Sequence, residues 1–447
     1  MYGHAVKARR PLCPPFIALL LACCVLPSLA APAEPSLVET VQKHYDQAVD
    51  AYARRDFAAY HSGIEQALRL LPSHPALVYR LAGACALTKR SEEALAALER
   101  FVRMKVARDI EANPDFIAIK ELPRFAAALG AMKKLDAPIG SSREAFRLPG
   151  PDFIPEGLAR DPKTGHWYVG SVRRRTIARV GSDGTSGTFV PEKHEGLGSV
   201  LGMGVDPARR LLHACSSNMK FMVDADPGQL ERGVLFSFDL ETGGVARRVP
   251  LGGGAAGHSC NDLTVAANGE VYVSDDLARQ VVVIPAGASE PRVVIEPGKL
   301  GSPQGLAFTA DGSALLIADY SSGLWRLTLK TGALELIPMP EEIPSTGIDG
   351  LARAGNTLMV IQNGIKPHRV LRLFTDTAAS AVSRGEILEM NNPLFSEPTL
   401  GAVTDDGFFY VANSQWGEFK EDGSLPESAS RAGPIILVLP LKQPPSG

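Results

Sequence analysis

The chain has 447 residues, 45 % of them hydrophobic and 21 % charged, with a formal net charge of −3. This is ordinary globular composition, long enough for more than one domain. The near balance of charge and the lack of a basic stripe exclude a nucleic-acid partner, and no stretch beyond the N-terminal segment is apolar for long enough to span a bilayer.

Residues 1–31 read as an export signal. Lys7, Arg9 and Arg10 give a basic start, Leu12 to Leu29 is apolar but broken by Pro14, Pro15 and Pro27, and Ser28-Leu29-Ala30 before Ala31 fits a small-residue cleavage site. Within it, Leu20-Leu21-Ala22-Cys23 resembles a bacterial lipoprotein box. Used as one, it would put lipid on Cys23 and tether the mature protein. The expected location is the periplasm or outside the cell.

Residues 36–137 read as helices. Ala48, Ala51, Tyr52, Phe57, Ile64, Ala67, Leu68 and Leu71 fall at helical spacing and stop at Pro72 and Pro75, and Leu81, Ala84, Ala94, Leu95, Leu98 and Phe101 form a second unit. The alternation of small and large apolar residues resembles tetratricopeptide repeats of about 34 residues. Such helices serve either as a docking groove for a protein partner or as a brace packed on the C-terminal two-thirds of the chain. Pro138, Gly140, Ser141 and Ser142 mark a linker.

From about residue 148 to 442 one pattern recurs six times, led by Glu156, Leu201, Asn261, Gln304, Asp349 and Thr399. Typical copies are Pro155-Glu156-Gly157-Leu158 and Pro303-Gln304-Gly305-Leu306, each followed by a turn and a second apolar run. Asn268-Gly269 and Asp311-Gly312 are two-residue hairpin turns, in which glycine supplies the positive φ. A period of about 45–60 residues suits one four-stranded blade. The expected fold is an all-β six-bladed β-propeller behind an α-helical, tetratricopeptide-like domain. In such a ring the lead residues face one another at one mouth of the central channel.

Outside the signal the cysteines are Cys85, Cys215 and Cys260, which is no disulfide framework. Cys215 and Cys260 sit at matching levels of adjacent blades; they are read as two separate buried thiols, although an oxidising compartment would allow a bridge. His213, inside an apolar strand, reads as a satisfied core histidine. Gly252-Gly253-Gly254 precedes no helix and is not a phosphate cradle.

Four lead residues, Glu156, Asn261, Gln304 and Asp349, offer oxygen and nothing softer. Two carboxylates and two amide oxygens converging on one point suit a hard divalent cation, calcium above all. Zinc is disfavoured because no lead residue is His or Cys.

The register of these motifs resembles the senescence marker protein/gluconolactonase superfamily, which includes regucalcin, and more distantly the paraoxonases. There, a Glu leads the first blade, as Glu156 does here, an Asn-Asp pair leads the third, as Asn261-Asp262, and an Asp-Gly leads the fifth, as Asp349-Gly350. The resemblance implies a metal site at these positions and hydrolysis of lactones or related esters. Gln304 stands where the family has Asn, one methylene shorter, and Leu201 stands where paraoxonases place a His. A base must come from elsewhere, and the expected catalytic pair is His258, in the mouth-side loop, with Asp262; His194 is a weaker candidate. Asp275 or Asp276 could complete the metal shell. The expectation is an exported, metal-dependent hydrolase of a small-molecule lactone or ester. Its rival is a non-catalytic propeller and helical-repeat binding module of the cell envelope.

Overall fold

The computed structural model describes residues 35–252, 257–427 and 431–441. The expected export signal and Cys23 lie outside them. Contacts divide the chain into Met1–Pro35 and Ser36–Gly447, and the described elements belong to the second unit. Among the described residues no helix is long and apolar enough to cross a membrane.

Ser36 opens the helical region with a capping box. Its hydroxyl accepts from the Glu39 backbone N–H at 3.1 Å, and the Glu39 carboxylate accepts from the Ser36 N–H at 2.8 Å. Helices α1 (Leu37–Ala53), α2 (Phe57–Leu70), α3 (Pro75–Leu87) and α4 (Ser91–Arg103) come next, then a short 3₁₀ turn at Pro114–Ile119 and α5 (Pro123–Lys133). Pro75 ends nothing here. It starts α3 at a position where its missing N–H costs no bond. Ala48, Ile64, Val78, Leu98 and Phe116 make a separate helical core, against which Leu336 of a blade-4 strand and Ile365 of a blade-5 connection also pack.

The rest is a ring of six four-stranded antiparallel sheets. Blades 1 to 5 each run from an inner strand outward. Their inner strands are Pro155–Arg160, Ser199–Asp206, Leu263–Val265, Pro303–Phe308 and Ile348–Ala354. Blade 6 is built differently: Gly401–Thr404, Gly407–Val411 and Ile435–Leu439 supply three strands, and Arg143–Arg147, ahead of blade 1, supplies the fourth. This pairing closes the ring. The middle strands Val271–Asp275, Gln280–Ile284 and Ala314–Asp319 are buried along their whole length. Each is covered on both faces by neighbouring blades, so apolar residues fill consecutive positions, with polar residues only at the strand ends near the mouth. Burying one such Val, Leu or Ile contributes roughly 1.5–3 kcal/mol.

The helices dock on the connections between blades. Ser36 donates to the Gly298 carbonyl, Ser73 to those of Met339 and Pro340, and Asn391 to that of Leu135. Arg369, fully buried, donates to the carbonyls of Pro367, Met104 and Lys105. All these propeller segments lie at the end of the ring where the inner strands begin. The helical domain therefore stands on the mouth face.

Cys215 and Cys260 are joined by a disulfide. This corrects the expectation of two separate thiols: Cys260 lies just before blade 3, and its Cα comes within 4.8 Å of that of Cys215 in blade 2. Cys85 is free and buried. His213 is buried, with Nδ1 2.9 Å from the Ser237 hydroxyl, but Nε2 finds no partner; burial pushes its pKa down to about 4.

Candidate functional site

The repeated lead motif has a mechanical cause. In blades 1, 2, 4 and 5 the ladder slips between Pro155 and Leu158, Val200 and Met203, Pro303 and Leu306, and Ile348 and Leu351. Each slip is a bulge that frees the lead residue and the glycine after it. A methyl group on Gly157 would sit 2.0 Å from the Leu201 carbonyl oxygen, and one on Gly350 would sit 2.5 Å from that of Thr399. The glycines are thus places where one blade's backbone meets the lead residue of the next. In blade 3 Asp262 takes the place of that glycine.

Glu156, Leu201, Asn261, Gln304 and Asp349 line one cavity of about 290 Å³ at the mouth. Thr399 lies beneath, fully buried, with its hydroxyl 3.4 Å from the Glu156 carbonyl oxygen. Asp276, Ser302, Tyr320, Asn363, Glu397, Met219 and Trp416 complete the wall. Asn363 donates to the Asp349 carboxylate at 2.6 Å and accepts from the Tyr320 hydroxyl at 3.1 Å. The Trp416 indole donates to the Glu156 carboxylate at 2.8 Å. Gln304 accepts from the Asn261 amide and donates to the Ser302 hydroxyl at 2.9 Å. In this arrangement the Gln304 oxygen is engaged and that of Asn261 is turned the other way.

These carboxylates are too close and too dry to ionise freely. Burial raises the Glu156 pKa well above the usual carboxylate range, and the Asp349 charge adds to this. Burial pushes Asp349 to about 7, against the Asn363 hydrogen bond and with the charges of Glu397 and Asp276. Asp276 and Glu397 are raised as well, burial being the main cause. Among the described residues no three His, Cys, Asp or Glu side chains converge as a ready metal cluster, so a cation here would rely on amide oxygen and water in addition to Glu156 and Asp349.

The two expected catalytic residues do not line this cavity. His258 lies in a neighbouring cavity at the outer edge of blade 2, with Nδ1 2.6 Å from the Asp275 carboxylate. Asp262 points into the ring beside Gly202, and burial raises it to about 7 despite backbone bonds from Leu263 and Leu306. Asp275 is fully buried and held by the backbone, whereas Asp276 reaches the mouth. Glu397 and Tyr320 escape a motif search, and Asn363 shows in the sequence only as one of the polar residues that close the returning strands, with Asp275, Asp276 and Asn413. Their one signal is position: Glu397 stands two residues before Thr399, and Tyr320 and Asn363 come just after second strands of blades.

Two long connections roof one side. Phe221, between the second and third strands of blade 2, packs against Trp416 and Phe419 of blade 6 at centroid distances of 5.4 and 4.8 Å.

No protein-family model matches the chain, and no curated protein matches it. Among solved structures, a gluconolactonase of Xanthomonas campestris aligns over 69 % of this chain and 92 % of its own, at 17 % identity and a TM-score of 0.42. A calcium-binding regucalcin of Agrobacterium tumefaciens aligns over 66 % and 93 %, at 15 % identity and 0.46. Virginiamycin B lyase of Staphylococcus aureus aligns over 67 % and 99 %, at 13 % identity and 0.42. Likenesses this distant concern the ring architecture and carry nothing to the mouth residues.

Proposed function

We propose that the mouth binds a hard divalent cation, calcium above all, and that the protein hydrolyses a lactone or small ester there. The observation that carries the reading is the crowding of Glu156 and Asp349, with Asp276 and Glu397, around one small cavity. Buried like charges around one cavity are costly unless protons or a cation neutralise them. Glu156, Asp349 and the Asn261 oxygen would hold the ion, with water filling the remaining positions. Such an ion would polarise a substrate carbonyl. Asp276 and Glu397 border the same space and take the proton-handling role in place of His258 and Asp262. Tyr320 and Trp416 line the same cavity and would help to orient a small ring. Work outside the cytoplasm belongs to the proposal, since residues 1–31 carry an export pattern and the Cys215–Cys260 bridge suits an oxidising compartment.

The test is metal analysis of the purified protein with hydrolysis assays over a lactone and ester panel. The expected result is a stoichiometric divalent ion and turnover that a chelator removes and Asp349→Asn abolishes. Protein that takes up no divalent ion and hydrolyses none of the panel would overturn the reading.

A further inference from the structure

The cavity holding His258 has the features of a second site. It measures about 540 Å³ and shares no lining residue with the mouth. Its deepest polar feature is a dyad. The Asp275 carboxylate, fully buried, accepts the backbone N–H groups of Ser259 at 2.9 Å and Ala278 at 3.0 Å and the Gln280 amide at 3.0 Å. A carboxylate among so many donors is an acceptor, so the imidazole proton sits on Nδ1 and Nε2 is left as a lone-pair acceptor. Nε2 lies over Gly252, where a methyl group would come within 2.1 Å of it.

Arg175, Arg232 and Arg248 line the same cavity, and among the described residues none of them pairs with a carboxylate. Arg175 is aimed by a 2.8 Å bond to the Leu197 carbonyl. Arg248 lies against Gly196, where a methyl group would come 2.8 Å from its guanidinium carbon. Three carboxylates also face the space. Asp224 is bridged to Lys193, while Asp226 and Glu231 are in no ion pair among the described residues.

We propose that this cavity binds a small hydroxy acid. Its carboxylate would meet the guanidinium groups, and its hydroxyl would donate to His258 Nε2. An acid without the hydroxyl would leave that acceptor unpaired and bind less well. The inference stands apart from the proposed chemistry of the mouth.

The experiment is calorimetric titration of malate and of succinate, which lacks the hydroxyl, into the full chain in cation-free buffer. Malate should bind several-fold more tightly than succinate. Arg248→Gln should weaken malate by about tenfold, and His258→Gln should erase the preference between the two acids. Asp349→Asn, which alters only the mouth, should leave malate binding intact. No binding of either acid, equal affinities in the native chain, unchanged affinity in Arg248→Gln, or loss of binding in Asp349→Asn would each overturn the proposal.

Discussion

At the residue scale the mouth is a place where stability is given up. Asp349 has a folded-state pKa of about 7, against an ordinary value of 3.8. A raised carboxylate contributes stability that is fully present below its unfolded pKa and is lost as pH rises through the folded one. Cation-free protein should therefore lose thermal stability between about pH 4 and pH 7. Asp349→Asn should flatten this slope and raise stability at pH 8, by on the order of 1 kcal/mol for each pKa unit relieved. A thermal scan across pH checks both, and an unchanged slope would show that the mouth carboxylates do not repel. Gln304 gives a second expectation. Its oxygen holds the Asn261 amide, so Gln304→Leu should release Asn261 and weaken calcium by about tenfold, or 1.4 kcal/mol. Equal calcium affinities by calorimetry would remove Asn261 from the candidate shell. The sequence alone made the lead residues visible, because the bulge and its glycine repeat with the blade. Glu397 was not visible, because it reaches the cavity from a connection whose length differs in every blade, and Asn363 was visible only as one of the polar residues that close the returning strands.

At the scale of elements, the disulfide ties the chain just ahead of Asn261 to the second strand of blade 2. It also separates the two cavities, since His258 lies on one side of Cys260 and Asn261 on the other. Replacing both cysteines by serine should cost about 2–4 kcal/mol and should loosen both loops. Urea unfolding measures the first effect, and hydrogen exchange at residues 257–262 the second. Full protection in the double variant would show that backbone bonds alone position the segment. The strands themselves were largely legible as apolar runs bounded by Asn-Gly and Asp-Gly turns. Arg143–Arg147 was not: Arg-Glu-Ala-Phe-Arg is exposed at three of its five positions and has no apolar run to betray it. The bridge was illegible for another reason, since two cysteines at one level of a ring are compatible with either state until the backbones are placed.

For the whole molecule, the two parts form one working unit. Arg369 is a buried cation with no carboxylate partner among the described residues, and burial lowers its pKa to about 10. Its bonds to Met104 and Lys105 fix the end of α4 to the connection just past Asn363, and the Ala107 N–H donates to the Lys366 carbonyl in the same segment at 2.7 Å. Arg369→Met should leave three carbonyls short of a donor and cost roughly 2–4 kcal/mol. Calcium affinity should fall with it, because Asn363 orients Asp349. Retained affinity in a destabilised variant would make the clamp a matter of stability alone. Helical spacing announced the helices, but no periodicity in either part announces which face of the ring they cover.

The pairing of Arg143–Arg147 with Ile435–Leu439 also sets an order in time. A ribosome releases the helices and that first strand before any blade exists, and the strand's partner only after five blades have been made. For most of synthesis an unmatched edge must wait, its N–H and C=O groups open to any passing strand. Wherever the chain folds, the circle stays open until Ile435–Leu439 is in place. Every chain cut short before residue 435 would leave both Arg143–Arg147 and Gly407–Val411 without the strand they share.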